Sequence, residues 1–204
     1  MTIAPLTLPA AIFFAVVATV PLFSPRCAMA GAPTDQLRTR LERIRQVVTA
    51  AESRPENRQA AVAAMDEIFD WPAIAQDVLR ARWEARTAEE RDEFTKLFAR
   101  FFTSVYASKA QLGQAERFEF LGDSIEGERA VVRTTTIMRR GDERHVTYRM
   151  RLEGGERWKV YEFDVDGISL IGNYRAQFQQ VILRGSYGEL VKRLREVSTA
   201  LERR

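Results

Sequence analysis

Thiols and imidazoles are almost missing from this chain of 204 residues: Cys27 is its only cysteine and His145 its only histidine. Cys27 falls inside an N-terminal stretch with the pattern of a cleaved leader, and nothing after it carries a thiol. Cys-His nucleophilic catalysis is thereby excluded, and a His-cluster metal site nearly so. Disulfides cannot brace the fold either, so stability has to come from burial. "SPRC" is a poor lipid-attachment box, because Arg26 stands where a small residue is needed. An excess of charge of one sign is also missing: 31 Lys and Arg stand against 28 Asp and Glu, a formal charge of +3. Nucleic-acid binders show a strongly basic face, which this balance does not supply; a modest attraction to anionic surfaces is still allowed. There is no internal repeat and no low-complexity tract.

What is present suits one globular domain with a real core, at 46% hydrophobic and 29% charged residues. Met1 to Pro25 holds no charged side chain, and its densest apolar part is "AAIFFAVVATV", Ala10 to Val20. Pro21 follows, and Ala28-Met29-Ala30 offers a small-residue cleavage site before Gly31. That is the pattern of a secretory signal, although the only positive charge ahead of the apolar core is the terminal amine. The short core and the prolines at 5, 9 and 21 argue against a membrane-spanning helix. Residues 1–30 are expected to be a signal peptide and 31–204 a single domain.

"PTDQLRTRLERIRQVVTA" puts Leu37, Leu41, Ile44 and Val48 on one helical face, with Thr34 or Asp35 as cap. A second helical run covers about Glu56 to Ile68. Asp70 can cap a short third helix with Pro72 in its first turn. Thr87 and Glu90 form a capping box before a helix with a wide, largely aromatic stripe: Phe94, Leu97, Phe98, Phe101, Phe102, Val105 and Tyr106. After Gly113 the apolar period shortens from about 3.6 to 2. Four strands follow, with turn signals "EGE", "GDE" and "EGGE" between them. Val146, Tyr148, Met150 and Leu152 share one face of the third. Short connections imply an antiparallel meander, buried on one face. Two last helices cover about Ser169 to Arg184 and Tyr187 to Leu201, the second with Ser186 and Glu189 as a capping box. The expected fold class is α+β, with helices packed on one face of a curved, four-stranded antiparallel sheet.

Few residues suggest chemistry. His145 lies on the polar face of its strand, and a lone surface histidine is no catalytic signature. Glu162, Asp164 and Asp166 share a strand face at a spacing that acid–base or calcium chemistry can use. A solvated face flanked by the arginines of the neighbouring strand accounts for them more simply. No catalytic residue, metal ligand or cofactor site is assigned. The aromatic stripe has two readings. Core packing explains it, but the adjacent Phe101 and Phe102 widen it as an apolar cavity would need.

Longer stretches resemble a known family. Phe69 to Trp71 gives a Phe-Asp-aromatic start, followed by Arg82 and Trp83 in the place of an Arg-x-Trp element, a Thr-x-x-Glu-Arg helix start at Thr87 to Arg91, and Phe94. Later come Trp-Lys-Val-Tyr at 158 to 161, Gly-x-Ser-Leu at 167 to 170, and Asn-Tyr-Arg-x-x-Phe at 173 to 178. In this order and spacing the chain resembles the Mla-type periplasmic phospholipid-binding family (MlaC, or toluene-tolerance auxiliary component). The resemblance implies a periplasmic carrier built as a nuclear-transport-factor-2-like cone around phospholipid tails, with lipid as cargo and no cofactor. It implies as partners an outer-membrane lipoprotein–porin complex and an inner-membrane ABC transporter carrying MCE domains. On that reading the lipid-facing candidates are the stripe residues Phe94, Phe98, Phe101, Phe102, Val105 and Tyr106. Val146, Tyr148 and Met150 join them from the third strand, and Tyr161, Phe163 and Val165 from the fourth. Ile168 and Leu170 of "GISLIG" would close the corner. A hopanoid carrier, an enzyme on the same cone and a fully packed structural subunit are the competing expectations. An enzyme would need Glu162 or Asp164 turned inward against apolar walls.

Overall fold

The computed structural model describes residues 33–53, 58–108 and 114–202. The expected leader, residues 1–30, lies outside the described residues. Five helices come first: α1 (Pro33–Ser53), α2 (Arg58–Ile68), α3 (Trp71–Leu79), the single turn α4 (Ala81–Glu84) and α5 (Ala88–Ser108). The meander is β1 (Ala115–Glu126), β2 (Arg129–Met138), β3 (Glu143–Glu153) and β4 (Arg157–Val165), with a two-residue β5 (Ile168–Ser169). Two helices, α6 (Leu170–Arg184) and α7 (Tyr187–Glu202), follow.

The helix ends follow from local chemistry. Asp70 Oδ1 accepts the Ala73 backbone N–H at 3.1 Å and starts α3, with Pro72 in the first turn. Thr87 and Glu90 bond reciprocally at the head of α5, at 3.0 and 3.2 Å. At α7 only half of the box forms: Ser186 Oγ accepts the Glu189 N–H, while the Glu189 carboxylate turns to Arg193. Thr34 and Asp35 sit inside the first turn of α1 rather than at its cap. The Thr34 hydroxyl instead donates to Asp123 Oδ2 at 2.6 Å and ties α1 to β1. Ser169 Oγ caps α6 by accepting the Gly172 N–H at 2.8 Å. A Cβ on Gly172 would lie 2.6 Å from that hydroxyl, so the cap requires glycine there.

The sheet runs in sequence order, β1-β2-β3-β4-β5, with every pair antiparallel. The expected four strands are thus joined by a fifth, which the Asp166-Gly167 turn creates. Both residues have positive φ, 51° and 80°, as a tight type I′ hairpin requires. One register shift reverses a strand face. Arg149 pairs with Glu162 and Met150 with Val160, which leaves Tyr161 as an unpaired extra residue. Trp158 and Val160 therefore face inward before the bulge, and Phe163 and Val165 after it. Phe69 extends the sheet with a parallel bridge to Val160.

The helices cover the sheet's inner face. The α1 residues Leu37, Leu41, Ile44 and Val48 are all buried, as their spacing requires. Between α3, α5 and α6 lies a dense aromatic core. Phe98 meets Tyr174 at 5.7 Å and Phe178 at 5.8 Å, both edge-on, and Trp71 at 6.3 Å. Such pairs add about 0.5–1.5 kcal/mol each beyond burial. Asp70 joins the halves of the molecule: its carboxylate, almost wholly buried, also pairs with Arg151 of β3.

Candidate functional site

Beside the aromatic core the inner face of the sheet is not filled. Here α1 and α2 stand off from β2, β3 and β4 and leave a partly open cavity of about 340 Å³. Leu41, Ile44, Met65 and Ile68 form the helical wall. Thr136, Met138, Val146, Tyr148, Phe163 and Val165 form the sheet wall. Phe69 and Phe102 close the side shared with the aromatic core, where both rings also touch Phe163. Besides Thr136 in the sheet wall, the polar lining residues are Gln114, Arg140, Asp142 and Arg144, at the β2–β3 hairpin and just before β1. The Arg139 N–H donates to the Gln114 carbonyl at 2.9 Å and holds these two segments together.

The one ionisable group in the apolar wall is the Tyr148 phenol. It is fully buried and stacks on Phe163 with 6.0 Å between ring centres. Burial pushes it well above the ordinary range for tyrosine, and a hydrogen bond with Thr134 only partly opposes this. Tyr148 is therefore neutral at physiological pH. No carboxylate lies against the apolar walls; Asp142 is exposed in the hairpin. Glu162 and Asp164 occupy the opposite sheet face, paired in register with Arg149 and Thr147. Glu162 accepts the Ser169 hydroxyl at 2.9 Å, and Asp164 forms an ion pair with Arg149. Neither carboxylate has the inward position that acid–base catalysis in this cavity needs. His145 is exposed and meets Thr135 Oγ1 at 3.2 Å. Among the described residues, no group of three or more His, Cys, Asp or Glu is placed to hold a metal ion. Among them too, no helix is long and apolar enough to cross a membrane.

The residues singled out from sequence separate into four environments. Phe102, Val146, Tyr148, Phe163 and Val165 line the cavity. Phe94, Phe98 and Met150 are buried in the core beside it, and Phe101 and Leu170 pack half-buried against that core. Val105 is half-buried on α5, outside the cavity lining, and the side chain of Tyr106 lies outside the described residues. Tyr161 and Ile168 lie away from the cavity, against expectation. Tyr161 is the bulge residue and half-buried, and the tight Asp166-Gly167 turn leaves Ile168 67% exposed. "GISLIG" therefore starts a fifth strand and a helix instead of closing the corner.

Sequence reasoning missed the helical wall as cavity lining, and the hairpin residues altogether. Leu41 and Ile44 carry the same apolar signal as any core helix. A signal for Arg144 was available: it stands two residues before Val146 on the same strand face, where alternation leads back to the mouth.

Comparison with known proteins agrees with this architecture. No curated protein matches the chain. A solved structure of a phospholipid-binding protein from Ralstonia solanacearum, in complex with a phospholipid, is similar with a TM-score of 0.69. It is 23% identical, and the match covers 82% of this chain and 97% of that one. At that identity the likeness carries the fold. A family model, that of the MlaC protein, matches residues 35–196, nearly the whole described region. The chain is therefore a member of the MlaC protein family.

Proposed function

We propose that this protein is a non-catalytic carrier that holds phospholipid acyl chains in the cavity between α1, α2 and the sheet. The observation that carries the reading is the cavity itself: largely apolar walls, an open side, and charged residues confined to the hairpin end. Its volume of about 340 Å³ falls at the small end of the ~300–1,000 Å³ typical of small-molecule sites. Moving a lipid through water exposes its tails, at about 0.8 kcal/mol per CH₂. A chain of ~16 carbons thus resists transfer by on the order of 10 kcal/mol. A carrier lowers that barrier by replacing water with dry walls, and it needs neither a nucleophile nor a metal. Family membership and the phospholipid bound by the Ralstonia protein support the same cargo.

The finer parts of the proposal rest on the family and on the N-terminal pattern. They are export to the periplasm with cleavage after Ala30, receipt or delivery of lipid at an outer-membrane lipoprotein–porin complex, and exchange with an inner-membrane MCE-type ABC transporter. Transfer between vesicles tests the carrier activity. Donor vesicles carry a self-quenched fluorescent phospholipid, and acceptors are unlabelled. Dequenching should accelerate in proportion to protein concentration. A rate equal to spontaneous exchange at every concentration would overturn the carrier reading. Export is tested separately, by recovering from the periplasmic fraction a polypeptide that begins at Gly31.

A further inference from the structure

We propose that the β2–β3 hairpin reads a zwitterionic lipid headgroup, with Arg140 and Arg144 taking its phosphate and Asp142 its amine. The proposal rests on the carrier reading above and specifies the headgroup that reading leaves open. Residues 140–144 hold four charged side chains, and three of them, Arg140, Asp142 and Arg144, line one end of the cavity, whereas Glu143 does not.

The backbone explains why they gather there. Arg144 pairs in register with Thr136, and both share the inward face with the lining residue Val146. Alternation therefore delivers a guanidinium to a position that would hold an apolar residue deeper in the sheet. The hairpin is closed by two backbone bonds of 2.8 Å, Met138 N–H to the Asp142 carbonyl and Gly141 N–H to the Met138 carbonyl. Gly141, with φ of 86°, allows the tight reversal that brings Arg140 and Asp142 to the same end. Arg144 is steadied by Asp166, whose Oδ2 accepts from its Nη1 at 3.3 Å. Asp166 is itself fixed by accepting the His145 N–H at 2.9 Å. One carboxylate contact leaves most of the five guanidinium donors of Arg144 available. Arg140 and Asp142 have no ion pair among the described residues, and both are exposed.

The charges select among headgroups. A purely anionic headgroup would be drawn to the arginines and repelled by Asp142. A diacylglycerol would offer none of the three side chains a charged partner. A phosphodiester bearing an ammonium group satisfies both signs, and its tails then extend along Val146, Tyr148 and Phe163 into the apolar space. Gln114 adds a neutral amide beside them.

The test uses the full chain and three lipids with identical tails: phosphatidylethanolamine, phosphatidylglycerol and diacylglycerol. Affinity is read by competition against a fluorescent lipid. Wild type should rank them in that order, with steps of about three- to tenfold for charge-assisted contacts at an exposed rim. Arg140→Gln with Arg144→Gln should erase the step between phosphatidylglycerol and diacylglycerol. Asp142→Asn should erase the step between phosphatidylethanolamine and phosphatidylglycerol. Soluble phosphoethanolamine should compete negligibly; competition equal to that of the lipid would mean a site for a free phosphate compound and overturn the headgroup assignment. Equal wild-type affinity for all three lipids, or unchanged steps in the variants, would overturn it while leaving the carrier reading intact. Failure of every lipid to bind wild type would overturn both. Thermal unfolding confirms that the variants are folded. Should the double variant not fold, Arg140→Gln alone, at the unpaired exposed position, carries the test with a reduced phosphate step.

Discussion

The two halves under this sheet use the same kinds of residue to opposite ends. Between α3, α5 and α6 the rings of Trp71, Phe94, Phe98, Tyr174 and Phe178 interlock and fill their space. Between α1, α2 and β2–β4, similarly apolar walls stand apart and enclose about 340 Å³. The first half holds the fold together, and the second leaves surface dry but unpartnered. A filled region gains dispersion contacts on every side of a ring. A lined cavity forgoes some of them, and a ligand can supply what is missing. The packed half thus carries the stability that lets the open half remain open.

Substitutions should separate the halves. Phe98→Ala, in the middle of the packed rings, should cost about 3–5 kcal/mol in denaturant unfolding. Lipid affinity of the molecules that remain folded should change little; a selective loss of affinity would show that the two halves are not separable. Asp70→Ala removes the α3 cap and the partner of Arg151 where the halves join, and should cost roughly 2 kcal/mol. Asp70→Asn keeps an acceptor for Ala73 and should recover about half of that loss.

Tyr148 gives a pH test of the dry wall. Its folded-state pKa is raised above the unfolded value of about 10, so the folded state holds the proton longer. That contribution is fully present below pH ~10 and declines as pH rises, by up to about 1.4 kcal/mol per pH unit from this group. Tyr187, also raised by burial, adds to the decline in the same direction, and Lys159, lowered by burial, opposes it. The difference between wild type and Tyr148→Phe, followed by unfolding at pH 9 to 11, isolates the Tyr148 share. Parallel pH profiles would mean that water reaches the phenol. The smallest effect is expected on the outer face. Arg149→Ala, which breaks the partly exposed pair with Asp164, should shift stability by about 0–1 kcal/mol and leave lipid binding unchanged.

Much of the scaffold was legible from sequence because local chemistry fixes it. The Asp70 cap, the Thr87–Glu90 box and the four long strands each rest on residues a few positions apart. The cavity was only half legible. Phe98 and Phe102 stand four residues apart on one helical row, and periodicity gives them one signal. Only tertiary packing decides that Phe98 is enclosed by rings while Phe102 borders a void. The bulge at Tyr161 shifts which residues of β4 face inward, and nothing nearby in the chain announces it. Ile168 follows a turn whose Asp-Gly signal was present, and its consequence, a hairpin that lifts Ile168 into solvent, depends on the register with Val165. The Arg140–Arg144 end was overlooked because "RRGDER" reads locally as an ordinary polar turn.

The central claim is that this particular cavity holds the lipid, and filling it is the direct test. Val146→Trp places an indole into the space between Ile44, Phe163 and Val165 and should cost about 1–3 kcal/mol of stability, as small-to-large changes at buried positions do. Native mass spectrometry of wild type after incubation with phospholipid vesicles should then show a one-to-one adduct with the mass of a diacyl lipid. The folded Val146→Trp protein should show the bare polypeptide. An adduct of equal abundance on the filled variant would contradict the account and place the lipid elsewhere on the molecule.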